Sequence, residues 1–279
     1  SVYENAKYIK ISVAGQAEAE KTNSQNIIAI DELNINAESA ISVGVDGKAD
    51  EKVLFKKNEE KKLPMASLAK LMTTVVVLEN YNLSEKVKVN KLAEAEIEDQ
   101  GNLKEGEVFS VKGLLYMTLI ESNNRATQIL SGVIGSGKFV EKMNKKAEDL
   151  GLKDTHFEDS TGISPNSYST AKDVAKLSEY LFLNYPLFRE IISYKEFNLY
   201  SSDGLFHHKL VNTNKLIGEP SIIGGKTGWT EEARGCFMTI QKNSKNGNYL
   251  IHVILSAEDR FEEMKKLINR GSGDVFSNS

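Results

Sequence analysis

Apolar positions along this chain change period twice. Ala40–Val45 and Lys52–Lys57 are short strand-like runs with Asp46-Gly47 between them, which predicts an antiparallel hairpin. After Pro64 the period becomes helical. Leu68, Leu71, Met72, Val75 and Val76 predict a helix from about Ser67 to Asn80. Its valines are poor helix formers, so burial rather than propensity must hold it.

From about Lys91 to Tyr185 the pattern stays mainly helical. Val111–Ile120 and Ala126–Ile134 are apolar, with Ser122-Asn123-Asn124 breaking them apart. Phe139, Val140, Met143, Ala147 and Leu150 mark another amphipathic helix, with Gly151 at its C-terminal end. Thr170-x-x-Asp173 predicts a capping box opening a helix through Val174, Leu177 and Leu181. Strand patterns then return at Ser221–Gly228, Gly235–Lys242 and Tyr249–Leu255. The last two are joined by Lys245-Asn246-Gly247-Asn248, a hairpin signal. Glu262–Ile268 predicts a closing helix.

Strands, then helices, then strands again predict an α/β (α+β) fold: one antiparallel sheet flanked by helices, with a mainly helical lobe inserted. The expected organisation is an N-terminal arm over residues 1–26 and a single domain over 27–279. In that domain residues 27–90 and 191–279 would form the α/β lobe and 91–190 the helical lobe.

Composition narrows the function classes. With 279 residues and 40% hydrophobic content the chain can bury a sizeable core. A net charge of −4 gives no basic field for nucleic acid. The single cysteine, Cys236, allows no internal disulfide, and the four histidines lack metal-ligand spacing, so neither metal nor cofactor is expected. No stretch approaches the roughly 20 apolar residues that span a bilayer.

Three polar clusters interrupt the apolar pattern in order: Ser67-x-x-Lys70, Ser122-x-Asn124 and Lys226-Thr227-Gly228. Each alone is cheap. S-x-x-K recurs at Ser169-Thr170-Ala171-Lys172 and S-x-N at Ser24-Gln25-Asn26 and Ser164-Pro165-Asn166, whereas Lys-Thr-Gly occurs once. On a helix, residues three apart share a face, so the Lys70 amine can reach the Ser67 hydroxyl. It can act as a base if desolvation or a second cation lowers its pKa, and Lys226 is the candidate cation. Ser122 could relay a proton, and the Asn124 amide could orient a peptide-like substrate. Lys226 and Thr227 would offer an ammonium and a hydroxyl to a carboxylate. Gly228 would let another backbone approach, and the Trp229 N–H would bind an oxyanion beside that of Ser67.

The ordered triple is the signature of active-site serine penicillin-binding enzymes. From about residue 38 to 270 the chain resembles the low-molecular-weight penicillin-binding proteins, specifically the serine-type D-alanyl-D-alanine carboxypeptidases. Further resembling segments are Pro64–Thr73, Asp159-Ser160-Thr161-Gly162-Ile163 with Tyr168–Asp173, Lys226–Ala233, and Ser256–Glu263. The resemblance implies that Ser67 is acylated by the penultimate D-Ala carbonyl of a peptidoglycan stem peptide ending in D-Ala-D-Ala. It implies Lys70 as base, Ser122 as proton shuttle and Asn124 as amide holder. Lys226, Thr227 and Arg260 would recognise the terminal carboxylate. β-Lactams would trap Ser67, and the enzyme would work outside the cytoplasmic membrane. Any membrane association would come from segments absent from this chain.

Three alternatives stay open: a class A-like β-lactamase, a DD-endopeptidase and a non-catalytic peptidoglycan-binding relative. The first needs a deacylating glutamate in an E-x-x-L-N loop, and residues 154–170 hold Glu158 without that pattern.

Overall fold

The computed structural model describes residues 33–45, 52–90, 103–243 and 248–272. The N-terminal arm, the Asp46-Gly47 and Asn246-Gly247 turns and the start of the expected helical lobe lie outside the described residues.

The chain opens with β1 (Ala37–Val45), β2 (Lys52–Lys57) and β3 (Leu63–Pro64), then a 3-10 turn (Ala66–Ala69) running into α1 (Lys70–Asn80). Next come β4 (Lys86–Lys88), β5 (Val108–Ser110), α2 (Val111–Ile120), α3 (Asn124–Gly132) and α4 (Ser136–Asp149). β6 (Tyr168–Ser169), α5 (Ala171–Asn184) and α6 (Pro186–Ser193) follow. The last part is β7 (Glu196–Tyr200), β8 (Phe206–Val211), β9 (Ile222–Thr230), β10 (Arg234–Lys242), β11 (Tyr249–Ala257) and α7 (Arg260–Ser272).

The five long strands form one antiparallel sheet in the order β2-β1-β11-β10-β9. The N-terminal hairpin joins the C-terminal strands through β1 and β11, where Ala37 faces Ala257 and Val45 faces Tyr249. This is the single sheet the alternating patterns predict. α5 and α7 both pack on it.

α1 is buried along its whole first two turns, from Lys70 to Val77. A helix apolar on every side belongs in the middle of a protein, and α2, α3, α4 and α5 all touch this one. Its two threonines are satisfied inside the core. Thr74 Oγ1 donates to the Lys70 carbonyl at 2.7 Å, and Thr73 Oγ1 donates to the Ser160 carbonyl at 2.6 Å.

Three details differ from the sequence reading. The nucleophile segment enters as a 3-10 turn, and the α-helix proper begins only at Lys70. The Thr170 side chain caps α5 by accepting from the Asp173 N–H at 3.0 Å, but the reciprocal half of the capping box is not made. Asp173 instead accepts from the Asp154 N–H and the Thr155 hydroxyl, tying the preceding loop down. The β7–β8 hairpin and α6 carried too little pattern to be read, although Pro186 at the first turn of α6 is a usual start signal.

Candidate active site

Ser67 lies in the 3-10 turn between β3 and α1. Ala66 holds a left-handed φ of +48°, which turns the chain sharply into the helix. Two glycines press on this turn. A Cβ on Gly162 would sit 1.9 Å from the Ala66 carbonyl oxygen, and one on Gly228 would sit 2.9 Å from the Ser67 backbone nitrogen. Both positions therefore require glycine. Through Gly228 the backbone of β9 comes directly against the Ser67 N–H.

The Lys70 ammonium is fully buried and has three partners: Ser67 Oγ at 2.7 Å, Asn124 Oδ1 at 2.6 Å and the Thr161 carbonyl at 3.2 Å. Burial lowers its pKa from the ordinary 10.5 to about 7, while the Asp159 carboxylate pulls it back up. A lysine so placed is part free base at neutral pH, which a general base needs.

Asp159 organises the loop that holds Lys70. One carboxylate oxygen accepts from the Thr161 N–H, the Thr161 hydroxyl and the Gly162 N–H at 2.6–2.7 Å, and the other accepts from the Ser164 N–H at 2.9 Å. Burial alone would raise its pKa, yet these donors hold it below the usual range. The anion thus fixes the Thr161 carbonyl over Lys70. The sequence reading assigned roles to neither Asp159 nor Thr161. The signal was there: an Asp followed by Ser-Thr-Gly is a pattern for a side chain that captures its own loop's N–H groups.

Ser122 sits between α2 and α3 with φ of +64°. The buried Asn123 caps α3 by accepting from the Ala126 N–H at 2.8 Å, so Asn124 becomes the first residue of the helix. Lys226 is also buried. Its Nζ donates to Ser122 Oγ at 2.7 Å and to the Thr227 carbonyl at 2.8 Å. Burial leads in pushing the Lys226 pKa well below its ordinary value, followed by repulsion from Lys70 and from Arg260. Burial rather than a second cation leads at Lys70, and the mutual repulsion registers on Lys226.

The structure brings together Ser67, Lys70, Ser122, Asn124, Lys226, Thr227 and Gly228. The Thr227 hydroxyl donates to Thr213 Oγ1 at 2.7 Å, a partner with no motif to announce it. Arg260, at the start of α7, donates from Nη1 to the Gly228 carbonyl at 3.2 Å and stacks on Phe261 at 5.0 Å, while its buried Nε has no hydrogen-bond partner. Trp229 follows on β9 with its side chain 64% exposed, so the ring is not packed into the core.

The second S-x-x-K lies elsewhere. Ser169 is buried against Thr155 Oγ1 at 2.7 Å, and exposed Lys172 pairs with Glu60. Cys236 is buried, and burial pushes its thiol up to about 11, which suits an inert core residue. Among the described residues no three His, Cys, Asp or Glu side chains group as a metal site, and no helix is long and apolar enough to cross a membrane.

The D-alanyl-D-alanine carboxypeptidase family, Peptidase S11, matches residues 21–259. The D-alanyl-D-alanine carboxypeptidase DacF of Bacillus subtilis is 33% identical over 251 residues, covering 85% of this chain and 62% of that protein. The D-alanyl-D-alanine endopeptidase of Escherichia coli is 32% identical, covering 67% of this chain and 62% of that protein. This chain therefore spans about six tenths of the length of these two relatives. Penicillin-binding protein D2 from Listeria monocytogenes, solved in a cefotaxime-bound form, superposes with a TM-score of 0.75 at 29% identity, covering 85% of this chain and 98% of that one.

Proposed function

Because this chain belongs to the D-alanyl-D-alanine carboxypeptidase family, we propose that it is a serine hydrolase that removes the terminal D-Ala from peptidoglycan stem peptides ending in D-Ala-D-Ala. The observation that carries the reading is the buried Lys70 amine 2.7 Å from the Ser67 hydroxyl. Ser67 Oγ attacks the penultimate D-Ala carbonyl and Lys70 takes its proton. The oxyanion falls between the N–H groups of Ser67 and Trp229. Losing one such donor typically costs about 3–4 kcal/mol of transition-state stabilisation. Ser122, bonded to Lys226, passes a proton to the leaving D-Ala amine. Asn124 orients the substrate amide, and water then hydrolyses the ester.

The terminal carboxylate is recognised by Lys226, Thr227 and Arg260. Lys226 and Arg260 repel each other and have no carboxylate among their hydrogen-bond partners in the described residues, and an arriving substrate carboxylate supplies the missing counter-charge. The partners on this reading are the stem peptide and β-lactams, and the place of work is outside the cytoplasmic membrane.

An endopeptidase cutting D-Ala cross-links is the second reading, since relatives of similar identity carry that name. A β-lactamase is disfavoured. The Asp159 carboxylate is enclosed by its own loop's donors, and Glu158 faces His156 at 3.6 Å. Asp159 is therefore not free to activate a deacylating water, and Glu158 lies outside the E-x-x-L-N pattern, so a penicillin adduct should persist.

Intact mass after incubation with a penicillin, beside Ser67→Ala, tests the class. A lasting gain of one drug, lost in the variant, is expected. Hydrolysed drug without an adduct would make this a β-lactamase. Release of D-Ala from a stem pentapeptide, compared with cleavage of a cross-linked dimer, separates carboxypeptidase from endopeptidase.

A further inference from the structure

Outside the site, two histidines of β8 lie between two glutamates. Glu107 Oε1 meets His207 Nε2 at 3.2 Å. His207 Nδ1 meets His208 Nδ1 at 2.6 Å. His208 Nε2 meets Glu121 Oε2 at 3.1 Å. The other Glu121 oxygen accepts from Asn123 Nδ2 at 2.9 Å. Glu121 and Asn123 flank Ser122, the left-handed residue whose hydroxyl Lys226 holds.

Neighbours on a regular strand point to opposite faces. These two do not, because β8 is bulged. Leu199 pairs with His208 and Tyr200 with Phe206, which leaves His207 as the extra residue. A bulge re-aims a side chain in this way. The edge of the Phe109 ring packs on His207, with ring centroids 5.2 Å apart.

The Glu121 carboxylate only accepts, so His208 Nε2 carries hydrogen. The two Nδ1 atoms then face each other at 2.6 Å, and one must carry hydrogen for the contact to hold.

We propose that the hydrogen-bonded His207–His208–Glu121 chain, with Glu107 beside its outer end, is a clasp that positions the Ser122 turn for catalysis. It rests on Ser122 serving the reaction as set out above. Lys86 of β4 and Asp203 of the hairpin turn line a cavity of about 560 Å³ beside Glu107 and His207. Lys104 N–H donates to the second Glu107 oxygen at 2.7 Å.

The test is the rate of acylation by a fluorescent penicillin from pH 5 to about pH 9, for the whole chain and four variants. Glu121→Gln and His208→Gln should each slow acylation about tenfold or more across the range, since small misplacements of a reacting group are costly. His207→Gln offers an amide group to His208 Nδ1 in place of the ring. It should keep a near-normal rate, because the amide replaces the ring as the partner of His208 Nδ1. Ser122→Ala separates the two ideas. If it acylates normally, Ser122 is not used and the clasp falls with it. If it fails while the Glu121 and His208 variants act normally, the clasp alone is overturned. Nitrogen-15 NMR of labelled histidine in the unmutated protein gives a reading independent of whether variants fold. Hydrogen on His208 Nε2 supports the clasp, and a bare His208 Nε2 overturns it.

Discussion

Lys70 shows how much one side chain can be made to carry. Its amine is fully buried, and its folded pKa of about 7 lies far below the ordinary 10.5. Between those values the unfolded chain binds a proton that the folded chain does not, so stability rises with pH there. Lys70→Met should abolish acylation and stabilise the fold at neutral pH. The gain should be largest below pH 7 and shrink by about 1.4 kcal/mol per pH unit toward 10.5. Denaturant unfolding at several pH values measures it, and a variant less stable at every pH would remove burial as the cause. Arg260 makes a second test at this scale. Arg260→Ala should weaken turnover of free-carboxylate peptides by about tenfold or more while sparing amidated ones. Equal loss on both would take Arg260 out of carboxylate recognition.

At the scale of elements, the site is an assembly of three segments against one turn. β9 arrives through Gly228, the 159–164 loop through Gly162, and the α2–α3 junction through Ser122 and Asn124. Gly162 is doubly constrained, with φ of +80° and no room for a methyl group. Gly162→Ala should cost about 2 kcal/mol or more and slow acylation, because the Ala66 turn must move. Thermal unfolding together with acylation rate checks this, and an unchanged rate would show that the turn tolerates displacement. Asp159→Asn keeps an acceptor for the loop's N–H groups but removes the charge that raises the Lys70 pKa. The acid limb of the acylation profile should therefore move to lower pH. A move to higher pH would contradict the sign of that interaction.

At the scale of the whole molecule, β1 and β11 close a sheet between strands more than 200 residues apart. Beneath α7 that closure buries a polar chain. Ser42 Oγ meets His252 Nδ1 at 2.7 Å, His252 Nε2 meets Gln241 Oε1 at 2.8 Å, and Gln241 Nε2 reaches the Ile268 carbonyl at 3.1 Å. Burial lowers the His252 pKa from 6.5 to about 3. Over that window the unfolded state takes up a proton and the native state does not, so stability should fall by about 1.4 kcal/mol per pH unit as the solution is acidified. His252→Gln should flatten that slope in an acid titration, and an unaltered slope would place the acid sensitivity elsewhere. The sheet, the buried helix α1 and the three ordered motifs were all legible in the chain, because period and turn chemistry are local properties. Ser67–Lys70 and the Asn123 cap are legible for the same reason, since each pair is set by spacing on one segment. Asp159 over Lys70, Thr213 on Thr227, and the bulged His207–His208 pair beside the Ser122 turn were not. Each joins separate segments of the chain, and only their packing in three dimensions decides which polar groups meet and which charges are denied water.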